Sequence, residues 1–345
     1  MQRSMKRYRM LLSTLIVTIV VSTFYMVVLS GNHNKSFPVD LVYTWVNGSD
    51  PEFMQEKAWW LNRFDKLDAS GTISAKFVEH EELKYSLRSV RKNLPWINHI
   101  YIITNGQIPS WLDRTNRWIS IITHNQIMPD SSLPTFNSEA IEANIHHIPN
   151  LSEHFIYSND DYYFYRPLSK SFFFTKQGNP LVIKGNLYFS DSVYNNGSNM
   201  LYINNVVYGL KLLEKQYGML IRFEVSHTQE AHKKSHFLTC ESLFPEQFNY
   251  TTHNKFRAPR SVHHSMMSYY SLIIGDGYVA PDKSPNFPNQ KYMVVQSVEK
   301  MKEILRKVKP AQLCINDVGQ VSENDYLTYP SFLESVWPDK GAWEL

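Results

Sequence analysis

HFIYSNDD, residues 154–161, sets a short apolar run, Phe155-Ile156-Tyr157, directly against Asn159-Asp160-Asp161. The run reads as a buried strand, His154–Ser158, and the acidic triplet as its polar end. Two adjacent carboxylates beside a carboxamide repel one another unless a cation lies between them. Hard divalent ions such as Mg2+ or Mn2+ take such oxygen ligands and also hold substrate phosphate oxygens. Three residues of this kind also make an ordinary Asx-rich turn closing a strand. The surrounding segments decide between the two.

Three further stretches share the pattern. Val39–Val46 (VDLVYTWV) ends in Asn47-Gly48-Ser49-Asp50-Pro51, His99–Thr104 (HIYIIT) in Asn105-Gly106, and Trp118–Thr123 in His124-Asn125. Between them, Glu81–Leu94 carries Leu83, Leu87, Val90 and Leu94 at amphipathic-helix spacing. A second helix is expected over Ser138–His147, capped by Asn137 or Ser138, with Glu139 in its first turn. Short apolar strands alternating with helices predict an α/β fold, a doubly wound, mostly parallel Rossmann-like sheet. Ligands bind such sheets outside the carboxyl ends of the strands, where all four polar strand ends would converge. Past residue 175 the pattern loosens into a helical and irregular C-terminal elaboration. Residues 178–200 read as loop or irregular strand, Val206–Tyr217 and Val298–Lys309 as helices, and 275–297, rich in Gly and Pro, as an irregular excursion. No internal boundary is evident, so residues 39–345 are expected to form one domain.

The chain has 345 residues, 43% of them hydrophobic and 14% aromatic, ample for a large core and unlike a disordered chain. Met10–Leu29 holds twenty uncharged residues, enough as a helix to span about 30 Å, the thickness of a bilayer core. Arg3, Lys6, Arg7 and Arg9 precede it, so the positive-inside rule keeps the tail, residues 1–9, in the cytosol. The run is longer than a usual signal-peptide core, which favours a retained anchor over residues 10–29 and a linker over residues 30–38. Without those four cations the formal charge of +3 becomes −1, so the slight basicity belongs to the tail and a nucleic-acid-binding surface is not supported. Cys240 and Cys314 either pair in an oxidising lumen or remain buried thiols. Sequons begin at Asn34, Asn47, Asn150, Asn196 and Asn249, in keeping with a lumenal or external location.

Four blocks carry a family likeness: DLVYTWVNGSDP (40–51); ELKYSLRSV (82–90) through PWINHIYIITNGQIPSWL (95–112) to LPTFNSEAIEANIHHIPNLSEHFIYSNDDYYF (133–164); SHTQEAHKK (226–234) with NKFRAP (254–259); and CIND (314–317). In these the chain resembles the stealth family of capsular and exopolysaccharide sugar-phosphate transferases, which includes the N-acetylglucosamine-1-phosphotransferase of lysosomal enzyme tagging. It departs from the usual pattern at Asn47, where many members have Asp, and lacks a proline commonly found just after the histidine of the third block. The resemblance implies transfer of a sugar-1-phosphate from a UDP-sugar to a hydroxyl of a glycan or glycoprotein acceptor, with release of UMP and formation of a phosphodiester. Such chemistry needs positioning and charge neutralisation more than covalent catalysis, which agrees with an acidic, metal-holding strand end. An ordinary glycosyltransferase that expels UDP, and a membrane-anchored carbohydrate-binding protein without turnover, are the competing readings.

Site residues follow. Asp160 and Asp161 are expected to hold Mg2+ or Mn2+ against the diphosphate, with Asn316 and Asp317 completing the metal or acceptor shell. His227 is the candidate general base for the acceptor hydroxyl, with His232 and His236 close by in sequence. Arg257 and Arg88 are candidates for the phosphate oxygens, since guanidinium binds them bidentately; each also reads as a plain surface residue. Asp50 is placed near the base or ribose, with Asn47 and Gly48 letting the backbone approach the ligand closely; a structural turn is the competing reading of all three. Lys233 is a further donor-binding cation. Tyr43, Trp45, Phe136 and Phe155 are assigned to the core. The anchored domain is expected to face the Golgi lumen as a type II membrane protein, or else to lie at a bacterial cell envelope.

Overall fold

The computed structural model describes residues 37–63, 80–281, 290–316 and 322–345. The expected tail and membrane anchor, most of the linker, and Asp317 lie outside these residues. Among the described residues no helix is long and apolar enough to cross a membrane.

Pro38–Leu345 is one unit built on a five-stranded sheet. In chain order the first elements are β1 (Val39–Thr44), α1 (Pro51–Leu61), α2 (Glu82–Asn93), β2 (Ile100–Thr104), β3 (Ile119–Thr123), α3 (Ser138–Glu142), β4 (His154–Asn159) and β5 (Tyr162–Phe164). There follow β6 (Leu181–Val182), β7 (Lys184–Tyr188), α4 (Asp191–Asn196), α5 (Leu201–Tyr217), β8 (Phe223–Val225), β9 (Glu230–Lys233), α6 (Lys234–Leu243), α7 (Pro245–His253) and α8 (Ser265–Ile273). The chain closes with β10 (Tyr278–Val279), β11 (Gln290–Val294), α9 (Val298–Lys307), β12 (Gln312–Asn316) and α10 (Glu323–Val336).

The sheet order is β3-β2-β1-β4-β9. The first four strands are parallel, with Thr44 level with Asn159 and Thr104 level with Thr123, so all four expected strand ends do lie on one edge. The edge strand β9 alone runs antiparallel. Alternation along the strands sends Val42, Tyr101, Phe155 and Tyr157 to one face, where Ala140 and residues of α5 to α8 cover them. Tyr43 points to the other face, and its hydroxyl meets Ser86 of α2 at 2.7 Å. Helices on both faces explain why the strands read as nearly unbroken apolar runs. Tyr43, Trp45, Phe136 and Phe155 are buried, as expected.

A second, smaller sheet, β11-β12-β5, is attached through the β4–β5 turn. It shares a core with α2, α9 and α10, formed by Tyr85, Tyr163, Met301, Leu313, Phe332 and Trp337 among others. Helices α6 to α8 were not foreseen. Their segments have weak amphipathic patterning, and they are held by burial of Phe237, Cys240, Phe248, Met266 and Tyr269 in the main core. Cys240 and Cys314 are separate, buried free thiols. The helix expected over 138–147 stops at Glu142, and Ile145–His147 forms a 3-10 turn. Asn137 is its cap, accepting from the Glu139 N–H at 3.1 Å.

Candidate active site

Asp160 and Asp161 form the two-residue turn between β4 and β5, part-buried at the carboxyl edge of the sheet. The antiparallel pairing of β12 with β5 sets Cys314 opposite Tyr162 and carries Asn316 alongside Asp161. The Ile315 N–H donates to the Asp161 carbonyl at 3.1 Å. The Asn316 side-chain amide lies 3.4 Å from Asp161 Oδ2 and the Cys314 thiol 3.7 Å from it. Residues 153 and 155 positions further along the chain thus share the Asp161 carboxylate. Burial raises both aspartates above the usual carboxylate range, and the Asp160 charge pushes Asp161 further. Among the described residues neither is in an ion pair. Two carboxylates and an amide oxygen are the hard donor set that Mg2+ or Mn2+ takes, and a divalent ion there would relieve the repulsion.

The reversal of β9 brings His227 to this edge. Glu230 lies opposite Tyr157 near the end of β4, so the chain just before Glu230 projects past the strand end. Gln312 of β12 fastens it there, donating to the Gln229 carbonyl at 2.7 Å and accepting from Thr228 Oγ1 at 3.2 Å. The exposed His227 ring packs edge-on to Tyr162, the residue after Asp161, with centroids 5.5 Å apart.

Lys233, expected to bind the donor, is instead opposite His154 at the start of β4. At a rise of about 3.3 Å per residue that is roughly 17 Å along the strand from Asn159. Its ammonium pairs with Asp276 at 2.6 Å. The two rival histidines are also accounted for: His236 meets Asp276 at 2.9 Å, and His232 is buried and held far below the usual imidazole range by desolvation.

Arg88 also needs correction. It is buried in α2, with its donors taken by Glu344 at 2.8 and 2.6 Å, Glu334 at 2.8 Å and the Trp337 carbonyl at 2.9 Å. It clasps the C-terminal segment, which leaves no free fork for phosphate. Arg257 does reach the edge. Lys255 and Asn254 carbonyls accept from the Phe136 N–H and the Asn137 amide, tying 254–257 against the start of α3. Arg257 Nη2 then donates to Ser138 Oγ at 2.7 Å.

Beside Arg257 lies a buried network absent from the sequence-based site. The Tyr157 hydroxyl bridges Glu142 at 3.0 Å and Asn159 Oδ1 at 2.8 Å. His264 sits between Glu142 (2.7 Å) and Glu230 (2.8 Å), and Ser268 donates to the other Glu230 oxygen at 2.9 Å. Burial alone would push His264 down, yet Glu230 and Glu142 together hold it at about 10. Glu139, one turn before Glu142, takes the Asn205 amide on both oxygens, and burial raises it to about 7. Two glutamates three apart in the longest family block were the available signal, because that spacing puts both on one helical face.

The other half of the edge holds a cavity of about 610 Å³ at the ends of β2 and β3. Its walls include Asn105, Gly106, Thr123, His124 and Asn125, the polar ends of those two strands, with Phe53 and Phe136. Asn47, Gly48 and Asp50 form the loop from β1 toward α1. Gln107 clamps that loop to the β2 end, accepting from the Asn47 N–H at 2.8 Å and donating to its carbonyl at 3.1 Å. Asp50 caps α1 through the Phe53 N–H at 2.9 Å. The loop therefore shapes the cavity margin, since Phe53 is one of its walls.

The family models described as Stealth protein CR1, conserved region 1, and Stealth protein CR2, conserved region 2, match residues 37–65 and 76–182. The capsular polysaccharide phosphotransferase fcs1 of Haemophilus influenzae is 33% identical over 87% of this chain and 83% of its own length. The exopolysaccharide phosphotransferase cps2G of Lactiplantibacillus plantarum is 32% identical over 89% and 96%. The capsular polysaccharide phosphotransferase SacB of Neisseria meningitidis serogroup A is 33% identical over 91% of this chain, which spans 58% of SacB. The chain belongs to the stealth family.

Proposed function

We propose that this protein is a phosphotransferase that moves a sugar-1-phosphate, an N-acetylhexosamine or hexose 1-phosphate, from a UDP-sugar to a hydroxyl of an acceptor glycan, releasing UMP. The observation that carries this reading is the meeting of Asp160, Asp161, Asn316 and His227, from three separate stretches of chain, on one sheet edge beside a nucleoside-sized cavity. The names of the curated relatives support the reaction class. The cavity, with aromatic walls and polar strand ends, suits the donor nucleoside, and the acidic turn suits its diphosphate.

Asp160, Asp161 and Asn316 would hold Mg2+ or Mn2+, and the ion would supply charge neutralisation on the pyrophosphate oxygens. His227, exposed at the same edge, accepts the proton of the attacking acceptor hydroxyl. Arg257, held at the start of α3, would offset negative charge that develops on the transferred phosphoryl group. The new P–O bond forms to the acceptor oxygen as the bond to the UMP oxygen breaks. The envelope of a bacterial cell fits the bacterial relatives better than a Golgi membrane does. A type II anchor at residues 10–29 rests on the uncharged run and its flanking cations.

Incubating the protein with a panel of nucleotide sugars, Mn2+ and glycan acceptors, then identifying the released nucleotide, tests the reading. UMP with a phosphorus-containing product linkage is the expected result. UDP with a phosphorus-free linkage would establish a glycosyltransferase instead, and binding without turnover a carbohydrate-binding protein.

A further inference from the structure

Tyr292 stands on β11, in the small sheet that adjoins the acidic turn, and is not among the residues that line the nucleoside-sized cavity. In the parallel β11–β12 pair it is level with Cys314, whose thiol faces the Asp161 carboxylate. Its neighbour Met293 is buried in the small-sheet core, so strand alternation turns Tyr292 the other way, onto the face of Cys314 and Asp161. Its phenol is raised by burial, then by the nearby Cys314 and Asp161. The residue is nonetheless 43% exposed, and its ring centroid lies 6.3 Å from that of His227. An exposed aromatic face beside a candidate base contributes little to the core but offers an apolar platform with a polar tip. Alongside, Tyr202 donates to Glu224 at 3.0 Å, and the Tyr202 phenol is raised by burial, by Glu224 and by Tyr292. An aromatic plate flanked by a carboxylate and a phenol matches a sugar ring, which has an apolar C–H face and hydroxyls around its rim.

We propose that Tyr292 is the stacking platform of the acceptor subsite, holding a sugar ring of the glycan with its reactive hydroxyl toward His227, while Tyr202 and Glu224 form the polar rim. This rests on the sugar-phosphate transfer reading and assigns its acceptor side. The order across the edge is then nucleoside cavity at β2 and β3, acidic turn at β4, and acceptor ring at β11.

The test uses the whole protein and two measurements. In steady-state transfer, Tyr292→Ala should raise the acceptor KM about tenfold, the effect of roughly 1.4 kcal/mol of lost stacking. The donor KM should stay unchanged, and Tyr292→Phe should restore the acceptor KM. An unchanged acceptor KM in Tyr292→Ala, or an equal rise in the donor KM, overturns the assignment. Saturation-transfer NMR with chitobiose, maltose and cellobiose judges the platform without any reaction. Binding of at least one of these sugars by the native protein and its loss in Tyr292→Ala supports the assignment, and no binding by the native protein overturns it. Absence of nucleotide release with every donor, alongside sugar binding that depends on Tyr292, would sink the transfer reading while leaving the platform standing.

Discussion

Asp160 and Asp161 are costly to keep charged where they sit: each is raised first by burial, and Asp161 also by its neighbour. A group held against its own electrostatic preference at a sheet edge is a mark of chemistry more than of stability. Asp161→Asn should therefore lower kcat by at least about 10³-fold, the order seen when a pre-organised charge-stabilising group is lost, while far-UV circular dichroism stays native. Near-normal turnover would remove the acidic turn from the reaction. His227→Ala should cut kcat by about 10² to 10⁴, the usual contribution of a general base, with the donor KM unchanged. If only the donor KM rises, His227 binds the donor. His264 allows a pH prediction. Its imidazolium is stabilised in the fold, so its contribution is full below its ordinary value of 6.5 and is lost as pH rises through about 10. Glu142 and Glu230 are lowered, so theirs is present above the ordinary value of 4.5 and lost as pH falls through their depressed values. Thermal melts should show a decline between pH 6.5 and 10 that His264→Gln flattens; parallel curves would mean the cluster is neutral in the fold.

Two antiparallel strands assemble the site around the parallel sheet. β9 turns His227 toward the acidic edge and Lys233 away from it, and β12 returns beside β5 to carry Asn316 to Asp161. The β1 to β4 pattern was readable because each strand is apolar and ends in a turn. β9, EAHK, and β5, YYF, are too short to declare a direction, and direction alone separates His227 from Lys233. Helix α2 holds the clearest test of an element's role. Its Arg88 is 3% exposed and pairs with the nearly buried Glu344, joining α2 to the chain's last turn. Arg88→Met should reduce unfolding free energy by about 3–5 kcal/mol, the cost of stranding a buried charge. Urea denaturation measures that loss, and the kcat of the protein that remains folded should not change. Lost activity at intact stability would return Arg88 to the phosphate.

Across the whole molecule the carboxyl edge is divided. The cavity between the ends of β2 and β3 takes one half, and the β4 turn with residues brought by β9, β11 and β12 takes the other. The proposed transfer needs two such approaches to a shared charged centre, and the order of strands is compatible with them. Local chemistry alone determined the parallel strands, the polar edge and the acidic turn, since apolar periodicity and turn residues act over a few positions; the family was legible only as a likeness carried by four blocks of sequence. Only the tertiary structure decided which histidine and which arginine belong at that edge. It also decided that Glu142, Glu230 and His264 share one buried network. Those choices depend on strand direction and on contacts between residues up to 256 positions apart, as at Arg88 and Glu344, and no local pattern encodes such distances.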